Sequence, residues 1–395
     1  MQIIITFVNI NLIHNIMRNK WVFLLIIFSL LFTSCNKESE TYTPENENIE
    51  NSYLISESEG KILVERLHSF TGFTKSNSDL LIESDNAEEW LVTANVKHSE
   101  KGSLKLEKIP LYKYKLKAKD KNGYAVVVGD SRFQSPLIYV EEGSLNDTID
   151  IVPLKLYVRS IPALVEEKIV QYYDSTSLSN KTLTKSDNQT LYSRSMLCTS
   201  WSQASPYNAS CPASTCFPDR FDGRYPAGCV PIAMTQIMAH HGKPTSMDWN
   251  AIRLIYANTP LSSSAVRSLN SLLSTIRERL GASYSCTGTG ASSSVVPYLF
   301  PSYGYSCSSL QSYSFSAVKY SLGNGWPVYM RGNSNSGGHA WVCDGWTNYG
   351  VTSGDNNYFH MNWGWNSSNG WFYVSTTEAP TFLSYRNLEI ITNIH

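Results

Sequence analysis

The sequence has little net charge and few charged residues of either sign. Of its 395 residues 16% are charged, and 32 Lys and Arg against 33 Asp and Glu leave a formal net charge of −1. A surface that binds nucleic acid or another acidic polymer needs a basic patch, and this composition provides no such footprint. We therefore expect no nucleic-acid partner.

Long hydrophobic runs are equally scarce. Trp21–Phe32 is the one sustained run, and it is too short to span a bilayer comfortably. It follows Arg18 and Lys20, and a short apolar run after basic residues is typical of a secretory signal peptide. Nothing downstream predicts a membrane channel.

The residues after this run predict lipidation. Leu31-Phe-Thr-Ser-Cys35 resembles a bacterial lipobox, whose cysteine becomes the lipidated first residue, and polar sequence follows it. We expect a signal peptide at 1–34, with Met17 as an alternative start, and a lipidated tether at 35–50. The predicted location is the outer membrane or cell surface, with an ordinary secretory signal as the alternative.

Cysteine usage fits an oxidising compartment. Apart from Cys35 and Cys229, an even number remains, namely Cys198, Cys211, Cys216, Cys286, Cys307 and Cys343. Small loops closed by Cys211–Cys216 and Cys286–Cys307 are the pairings considered, although sequence does not fix connectivity. Zinc-type paired spacings are missing, so we expect neither a metal nor another cofactor.

Composition divides the chain near residue 190. Residues 51–190 hold most of the Lys and Glu and no cysteine, and they read as strands joined by turns, with one helix near Glu59–Ser69. The stretch 175–190 is polar with few packing residues, as is typical of exposed, cleavable segments. We interpret it as a linker between two domains, or as the cleaved end of a propeptide.

The region after residue 190 shows helical patterns first and strand patterns second, which predicts an α+β domain. An amphipathic helix is expected where Val230, Ala233, Met234, Ile237 and Met238 recur at helical spacing. Two further helices are predicted at 248–255 and 265–273. Strands are predicted at 328–330, 339–343, 358–363 and 370–374.

Cys229 lies where a glycine-containing turn enters the first of these helices. Unpaired N–H groups and the dipole at a helix N-terminus stabilise an anion, and they can lower a thiol pKa from about 8.5 by several units. Gly228 allows close backbone approach, and the Cys229 N–H suits an oxyanion site. A structural or disulfide-bonded cysteine is the alternative.

His339 follows Gly337-Gly338 and precedes an apolar, aromatic strand. The two glycines leave the imidazole edge accessible to a substrate backbone. Spacing alone does not pair His339 with Cys229, although cysteine and histidine from distant stretches meet in many cysteine hydrolases. Three other histidines are interpreted as structural: His240, His241 and His360.

Four segments of the chain occur in the order of a known family. They are Trp201–Asn208, Ala227–His241, Gly337–Gly345 and Phe359–Trp365, which cover most of residues 198–380. Together they resemble the streptopain family of papain-like cysteine peptidases. The resemblance implies an α+β fold in which a helical part carries the nucleophile at a helix N-terminus and an antiparallel sheet carries the histidine.

The resemblance also implies a domain arrangement and a set of partners. Residues 51–190 would be a smaller, β-rich α+β inhibitory prodomain ending in a cleavable linker, and residues 191–395 the peptidase domain. The partners would be protein or peptide substrates, the chain's own prodomain as inhibitor, and the membrane through the lipid anchor.

The resemblance assigns catalytic roles to those residues of this chain that match the family's motifs. The resemblance implies that Cys229 attacks a peptide carbonyl to form a thioester, with His339 as general base and then acid. Gln203 lies where papain-like enzymes place a glutamine that donates to the oxyanion, and Asn362 where their asparagine orients the imidazole. A surface-loop role for Gln203 and a packing role for Asn362 are the alternatives.

The resemblance assigns four further residues to substrate binding. Gly338 would contribute backbone contacts, Thr289 lies in the run Thr287–Ser294 where the family has a cleft loop, and Trp363 and Trp365 would wall the cleft. The alternatives are core packing for the tryptophans and a flexible linker for the run.

The leading hypothesis is a secreted or surface-anchored cysteine endopeptidase made as a zymogen. A second hypothesis uses the same Cys–His chemistry in a cell-wall amidase or a transglutaminase-like acyl transferase. A third is a non-catalytic surface lipoprotein that binds through its aromatic face.

Overall fold

The structure is a computed structural model in which part of the chain is described. The described residues are 53–71, 80–85, 90–97, 104–118, 121–145, 151–178, 192–193, 195–334, 337–348, 356–375 and 386–395. The predicted signal peptide, lipidation site Cys35, tether and residues 179–190 of the predicted linker lie outside them.

The described elements include both helices and strands. The helices are α1 (Glu57–Thr71), α2 (Val152–Leu178), α3 (Cys229–His241), α4 (Trp249–Arg253), α5 (Ser264–Arg279), α6 (Val296–Ser302) and α7 (Phe315–Gly323). Within the described ranges, none of these helices is both long enough and apolar enough to cross a bilayer.

Fourteen strands are described, and twelve of them form one antiparallel sheet. They are β1 (Leu80–Ser84), β2 (Trp90–Lys97), β3 (Leu104–Ala118), β4 (Lys121–Val128), β5 (Ile138–Glu142), β6 (Tyr192–Ser193), β7 (Ser283–Ser285), β8 (Gly288–Gly290), β9 (Gln311–Ser312), β10 (Val328–Ser334), β11 (Gly337–Asn348), β12 (Asn357–Asn362), β13 (Asn369–Val374) and β14 (Arg386–Ile391). The path of the large sheet is β1-β3-β4-β5-β13-β12-β11-β10-β14-β9. β2 and β6 pair with β3 and β11, and β7 and β8 form a separate hairpin. The α+β prediction is confirmed.

The sheet joins the N-terminal part of the chain (residues 53–178) to the C-terminal part (residues 192–395) at one pair of strands. β5 pairs with β13, so that Tyr139 lies opposite Trp371. Gly370 permits the close approach, because a Cβ there would lie 2.5 Å from the Tyr139 carbonyl oxygen and 2.7 Å from Val140 Cγ2. We call this contact the β5–β13 seam.

Strand β11 separates two layers of hydrophobic core by simple alternation of its side chains. Trp341 and Cys343 pack into the cluster shared with the N-terminal part. Ala340 and Val342 face the other cluster, which contains α3 and α5. This period of two is the expected consequence of strand geometry, and it brings β11 against the helix that begins at Cys229.

Helix α3 is buried around its whole circumference from Val230 to Ala239. The sequence predicts an amphipathic helix here, and that prediction is wrong about the polar face. Thr235 and Gln236 lie in the interior because both have hydrogen-bond partners there. The Thr235 hydroxyl donates to the Pro231 carbonyl of the same helix, and the Gln236 carboxamide bonds to Thr199 and Asn362 of neighbouring segments. A buried helix is the expected result when an apolar segment packs against both a sheet and other helices.

The other predicted elements of the C-terminal part are present. Most have longer bounds, but β12 begins and ends one residue before the predicted 358–363, and α4 is shorter, beginning after its cap Asp248. The sequence pattern does not predict α2. Pro162 lies inside this helix and argues against it, yet Leu154, Tyr157, Ile161 and Leu164 recur at helical spacing and are buried.

The structure contains a disulfide between Cys216 and Cys286, whose Cα atoms are 5.2 Å apart. The Cys211–Cys216 and Cys286–Cys307 pairings considered from sequence are therefore wrong. Folding brings Cys286 of the β7–β8 hairpin to the loop that carries Cys216, a proximity that spacing along the chain does not reveal. The free cysteines among the described residues are Cys198, Cys211, Cys229, Cys307 and Cys343.

Candidate active site

Cys229 is the first residue of the buried helix α3, and Gly228 is its N-cap. Gly228 has φ 92° and ψ 135°, a conformation that side-chain-bearing residues rarely adopt. A Cβ on Gly228 would lie 3.3 Å from both Pro231 Cδ and Thr289 Cγ2. Glycine therefore lets the chain turn into the helix, and the thiol lies at the partly exposed end of an otherwise buried segment.

Opposing effects act on the Cys229 thiol. Desolvation by the surrounding protein raises its pKa and dominates, whereas interactions with the backbone amides of Ala340, Val230 and Cys229 itself lower it. The expected effect of the helix start is present, but burial outweighs it in the full-length chain. Burial thus favours the protonated form of the thiol. Ala340 directly follows His339 in β11, so the thiol contacts the strand backbone next to His339.

His339 is 7% exposed and lies in β11 opposite Gly332. Its Nε2 is 2.9 Å from the carbonyl oxygen of Trp363. A carbonyl only accepts hydrogen bonds, so Nε2 must carry the hydrogen and donate. In the neutral ring this leaves the lone pair on Nδ1. Burial lowers the pKa of His339 to about 4, although the Trp363 bond raises it in part.

Asn362 directly precedes Trp363 and is 2% exposed. It forms a reciprocal carboxamide pair with Gln236, with Gln236 Nε2 donating to Asn362 Oδ1 at 3.1 Å and Asn362 Nδ2 donating to Gln236 Oε1 at 3.2 Å. Asn362 Nδ2 also donates to the Thr199 carbonyl at 2.8 Å. The neighbouring backbone carbonyl therefore contacts the imidazole, and the orienting role of Asn362 itself stays a prediction.

Gln203 is 5% exposed and is anchored through its backbone, where its carbonyl accepts from the Ala227 N–H at 2.8 Å. This bond ties the Gln203 segment to the turn that leads into Cys229. In the part of the chain that the structure describes, the carboxamide of Gln203 has no hydrogen-bond partner. Its N–H groups are thus available to a ligand, as an oxyanion donor requires.

The two predicted cleft tryptophans occupy different environments. Trp363 is fully buried, and its ring centroid is 5.1 Å from Phe372 and 5.7 Å from Trp341. Trp365 is partly exposed and lies nearly parallel to the His339 imidazole, with centroids 6.4 Å apart. Of these two, Trp365 is therefore the one with accessible ring surface beside the histidine; the fully buried Trp341 stacks on the same imidazole with its centroid 6.2 Å away.

Thr289 and Gly338 are also close to the catalytic pair. The Thr289 hydroxyl donates to the Pro226 carbonyl at 2.6 Å, so the β7–β8 hairpin is held against the turn before Cys229. Gly338 is exposed and immediately precedes His339. Within the described residues no group of three or more His, Cys, Asp and Glu side chains is arranged to hold a metal ion.

Two groups that contribute to the site, the Trp363 carbonyl and the Gln236 side chain, were not predicted from the sequence. A backbone carbonyl such as that of Trp363 has no side-chain signature, so no motif would reveal it. Gln236 did carry a signal, since it is a polar residue at the centre of an otherwise apolar run from Val230 to Ala239.

Comparison with known proteins gives consistent matches. Residues 201–247 and 242–373 match the model of the peptidase C10 family. Streptopain from Streptococcus pyogenes serotype M28 is 25% identical over 310 residues, which is 66% of this chain and 73% of streptopain. The serotype M1 streptopain is likewise 25% identical. The thiol protease/hemagglutinin PrtT of Porphyromonas gingivalis is 42% identical over 59 residues, 15% of this chain and 6% of PrtT.

The hydrogen bond to Trp363 predicts the protonation state of His339. In the full-length Cys229→Ala protein, ¹⁵N-labelled histidine should show a His339 ring with hydrogen on Nε2 alone at pH 6, because its pKa is lowered to about 4 from the ordinary 6.5. NMR titration measures this, with His339→Gln identifying the signal. A ring that is half protonated near pH 6.5 would contradict the assignment.

Proposed function

We propose, since residues 201–247 and 242–373 match the peptidase C10 family and the chain is a cysteine-type endopeptidase, that Cys229 is its nucleophile and His339 its general base and acid. The observation that carries the proposal is the bond from His339 Nε2–H to the Trp363 carbonyl. It leaves Nδ1 with a lone pair on a residue whose chain neighbour, Ala340, contacts the Cys229 thiol through its amide.

The reaction then follows from the protonation states. Nδ1 of His339 accepts the thiol proton, and the Cys229 sulfur attacks the carbonyl carbon of the peptide bond. The C–N bond breaks as the imidazolium returns the proton to the leaving amine, which leaves a thioester on Cys229. Water attacks the thioester carbonyl as its proton passes to Nδ1. The C–S bond then breaks, the carboxylic acid product leaves, and the imidazolium returns the proton to the Cys229 sulfur.

Two donors are available for the oxyanion that forms on the substrate carbonyl. One is the backbone N–H of Cys229, which has no intrahelical partner because it lies in the first turn of α3. The other is the carboxamide of Gln203, which the backbone bond to Ala227 holds beside the same turn. Such donors stabilise the transition state more than the substrate, so they affect kcat more than KM.

Mutation of these residues should separate their roles. Cys229→Ala should abolish hydrolysis of casein and peptide amides under mild reductant, and Gln203→Ala should lower kcat about 10²–10³-fold with little change in KM. Gln311→Ala changes an exposed glutamine and is the control. Steady-state kinetics measures both, normalised by E-64 titration for Gln203→Ala and by protein concentration for Cys229→Ala, which has no thiol to titrate. Release of peptidoglycan fragments without casein cleavage would instead favour an amidase.

We further propose that residues 51–190 form an inhibitory prodomain, with cleavage near residue 190. The N-terminal part contacts the loop 363–368, which carries the partners of His339. At one end of this loop Trp363 binds the imidazole. At the other end the Ser368 N–H donates to the Glu142 carbonyl at 2.8 Å. A loop of six residues thus connects the carbonyl that binds His339 to the seam.

The seam offers a direct test of inhibition. In the full-length chain the raised pKa of the Cys229 thiol should make iodoacetamide alkylation slow at pH 7 and still increasing above pH 9. Gly370→Ala should increase the rate at pH 7 about tenfold, because the added methyl clashes with Tyr139 and Val140 of the N-terminal part. Mass spectrometry of the peptide that contains Cys229 gives the rate, because the exposed free Cys198 reacts as well.

Gly323→Ala is the matched control, since a Cβ there meets nothing within 4 Å. Equal alkylation rates in the two glycine variants would contradict an inhibitory role for the seam.

Export and lipidation at Cys35 complete the proposal. They rest on the apolar run and the lipobox-like segment of the sequence. Expression in a diderm host should give a precursor that accumulates in the presence of globomycin, because that inhibitor blocks lipoprotein signal cleavage. Normal maturation in its presence would leave ordinary secretion as the better description.

A further inference from the structure

Gln236 is a fully buried carboxamide on α3, two helical turns after Cys229. Its side chain lies in a segment whose neighbours from Val230 to Ala239 are also buried. A buried polar group without partners costs roughly 1–3 kcal/mol, so a glutamine in this position needs a complete set of hydrogen bonds. The structure provides that set from two other segments of the chain.

The carboxamide of Gln236 connects three segments. Its Oε1 accepts from the Thr199 hydroxyl at 3.1 Å, from the Trp201 N–H at 3.1 Å and from Asn362 Nδ2 at 3.2 Å. Its Nε2 donates to Asn362 Oδ1 at 3.1 Å. Thr199 and Asn362 are also joined directly, through the bond from Asn362 Nδ2 to the Thr199 carbonyl.

Each of these segments carries a different part of the proposed catalytic machinery. Helix α3 carries Cys229 at its start. The Thr199–Trp201 segment continues directly to Gln203, the proposed oxyanion donor. Asn362 precedes Trp363, whose carbonyl binds the His339 imidazole, and its Oδ1 accepts from the Gly364 N–H at 3.2 Å. The Asn362 side chain therefore holds the peptide group between Trp363 and Gly364, whose carbonyl oxygen binds His339.

We propose that Gln236 is a positioning residue, which keeps the nucleophile helix, the oxyanion donor and the carbonyl acceptor of His339 in one fixed arrangement. It acts through Asn362 and the Thr199–Trp201 segment. The inference deepens the proposed function, because it rests on the roles of Cys229, His339 and Gln203. Small displacements of such groups reduce turnover strongly, since the reacting atoms must be aligned closely.

The chemistry of the pair requires an amide at position 236. A glutamate could accept from Thr199, Trp201 and Asn362, but when ionised it could not donate to Asn362 Oδ1. Rotation of the Asn362 carboxamide would not repair the pair, because it would break the bonds to the Thr199 carbonyl and the Gly364 N–H. A protonated glutamic acid, in contrast, regains the donor.

Kinetics of Gln236→Met, Gln236→Glu and Thr199→Val in the full chain after maturation test the proposal. Gln236→Met should lower kcat per E-64-titrated site about 10–100-fold with KM within about threefold, by analogy with the loss of supporting contacts elsewhere.

For Gln236→Glu, the ratio of kcat to the wild-type value should rise as the pH falls from about 8 to about 5. The groups that contact Gln236 are a hydroxyl, a backbone amide and a carboxamide, which do not titrate in this range.

Thr235→Val is the matched control. Thr235 is the buried neighbour of Gln236, but its hydroxyl bonds only to the Pro231 and Ile232 carbonyls of the same helix. It should lower thermal stability without changing kcat per titrated site. Should Gln236→Met fail to fold, Thr199→Val removes one contact of the network and should still lower kcat several-fold more than Thr235→Val. A pH-independent kcat ratio, or losses no larger than in the control, would overturn the proposal.

A measurement without turnover separates this inference from the proposed function. In the inactive Cys229→Ala background, the His339 Nε2–H signal should persist with Thr235→Val and exchange faster with Gln236→Met. If the wild-type protein cleaves no peptide, the proposed function fails, yet this comparison still decides the role of Gln236. An unchanged exchange rate in both variants would show that Gln236 does not hold Trp363.

Discussion

The hydrogen bond from His339 Nε2 to the carbonyl of Trp363 selects which imidazole nitrogen is free to act as a base, and the surrounding structure is organised to keep that carbonyl in place. On one side, Asn362 is fixed by Gln236 and by the Thr199 carbonyl. On the other, the loop continues to Ser368 and the seam. Helix α3 and the N-terminal part therefore both hold the same short loop in place.

In the full-length chain, burial favours the uncharged forms of Cys229 and His339. Desolvation opposes the charged form of each partner, raising the pKa of the Cys229 thiol and lowering that of His339 to about 4. The amide groups at the start of α3 work in the opposite direction. A thiolate–imidazolium pair thus requires either direct attraction between the two charges or greater access of water.

The local structure around Cys229 and His339 was predictable from sequence, and the contacts that join their segments were not. Gly228 before Cys229 and the paired glycines before His339 indicate a helix start and a strand entry, and the structure contains both. The Trp363 carbonyl is a backbone group and leaves no pattern. Gln236 is polar in an apolar run, and only the fold reveals its partners. The pairing of β5 with β13 joins residues more than 200 positions apart, and no local periodicity reports it.

The seam has a further consequence if the N-terminal part is removed as proposed. Strand β13 obtains the backbone partners along one of its two edges from β5, so departure would turn it into an exposed edge of the sheet with free N–H and C=O groups. Such an edge readily accepts another extended segment. The released enzyme would therefore gain, beside its loop 363–368, a template for strand addition that the precursor keeps covered, open to a docking peptide or to another copy of the chain.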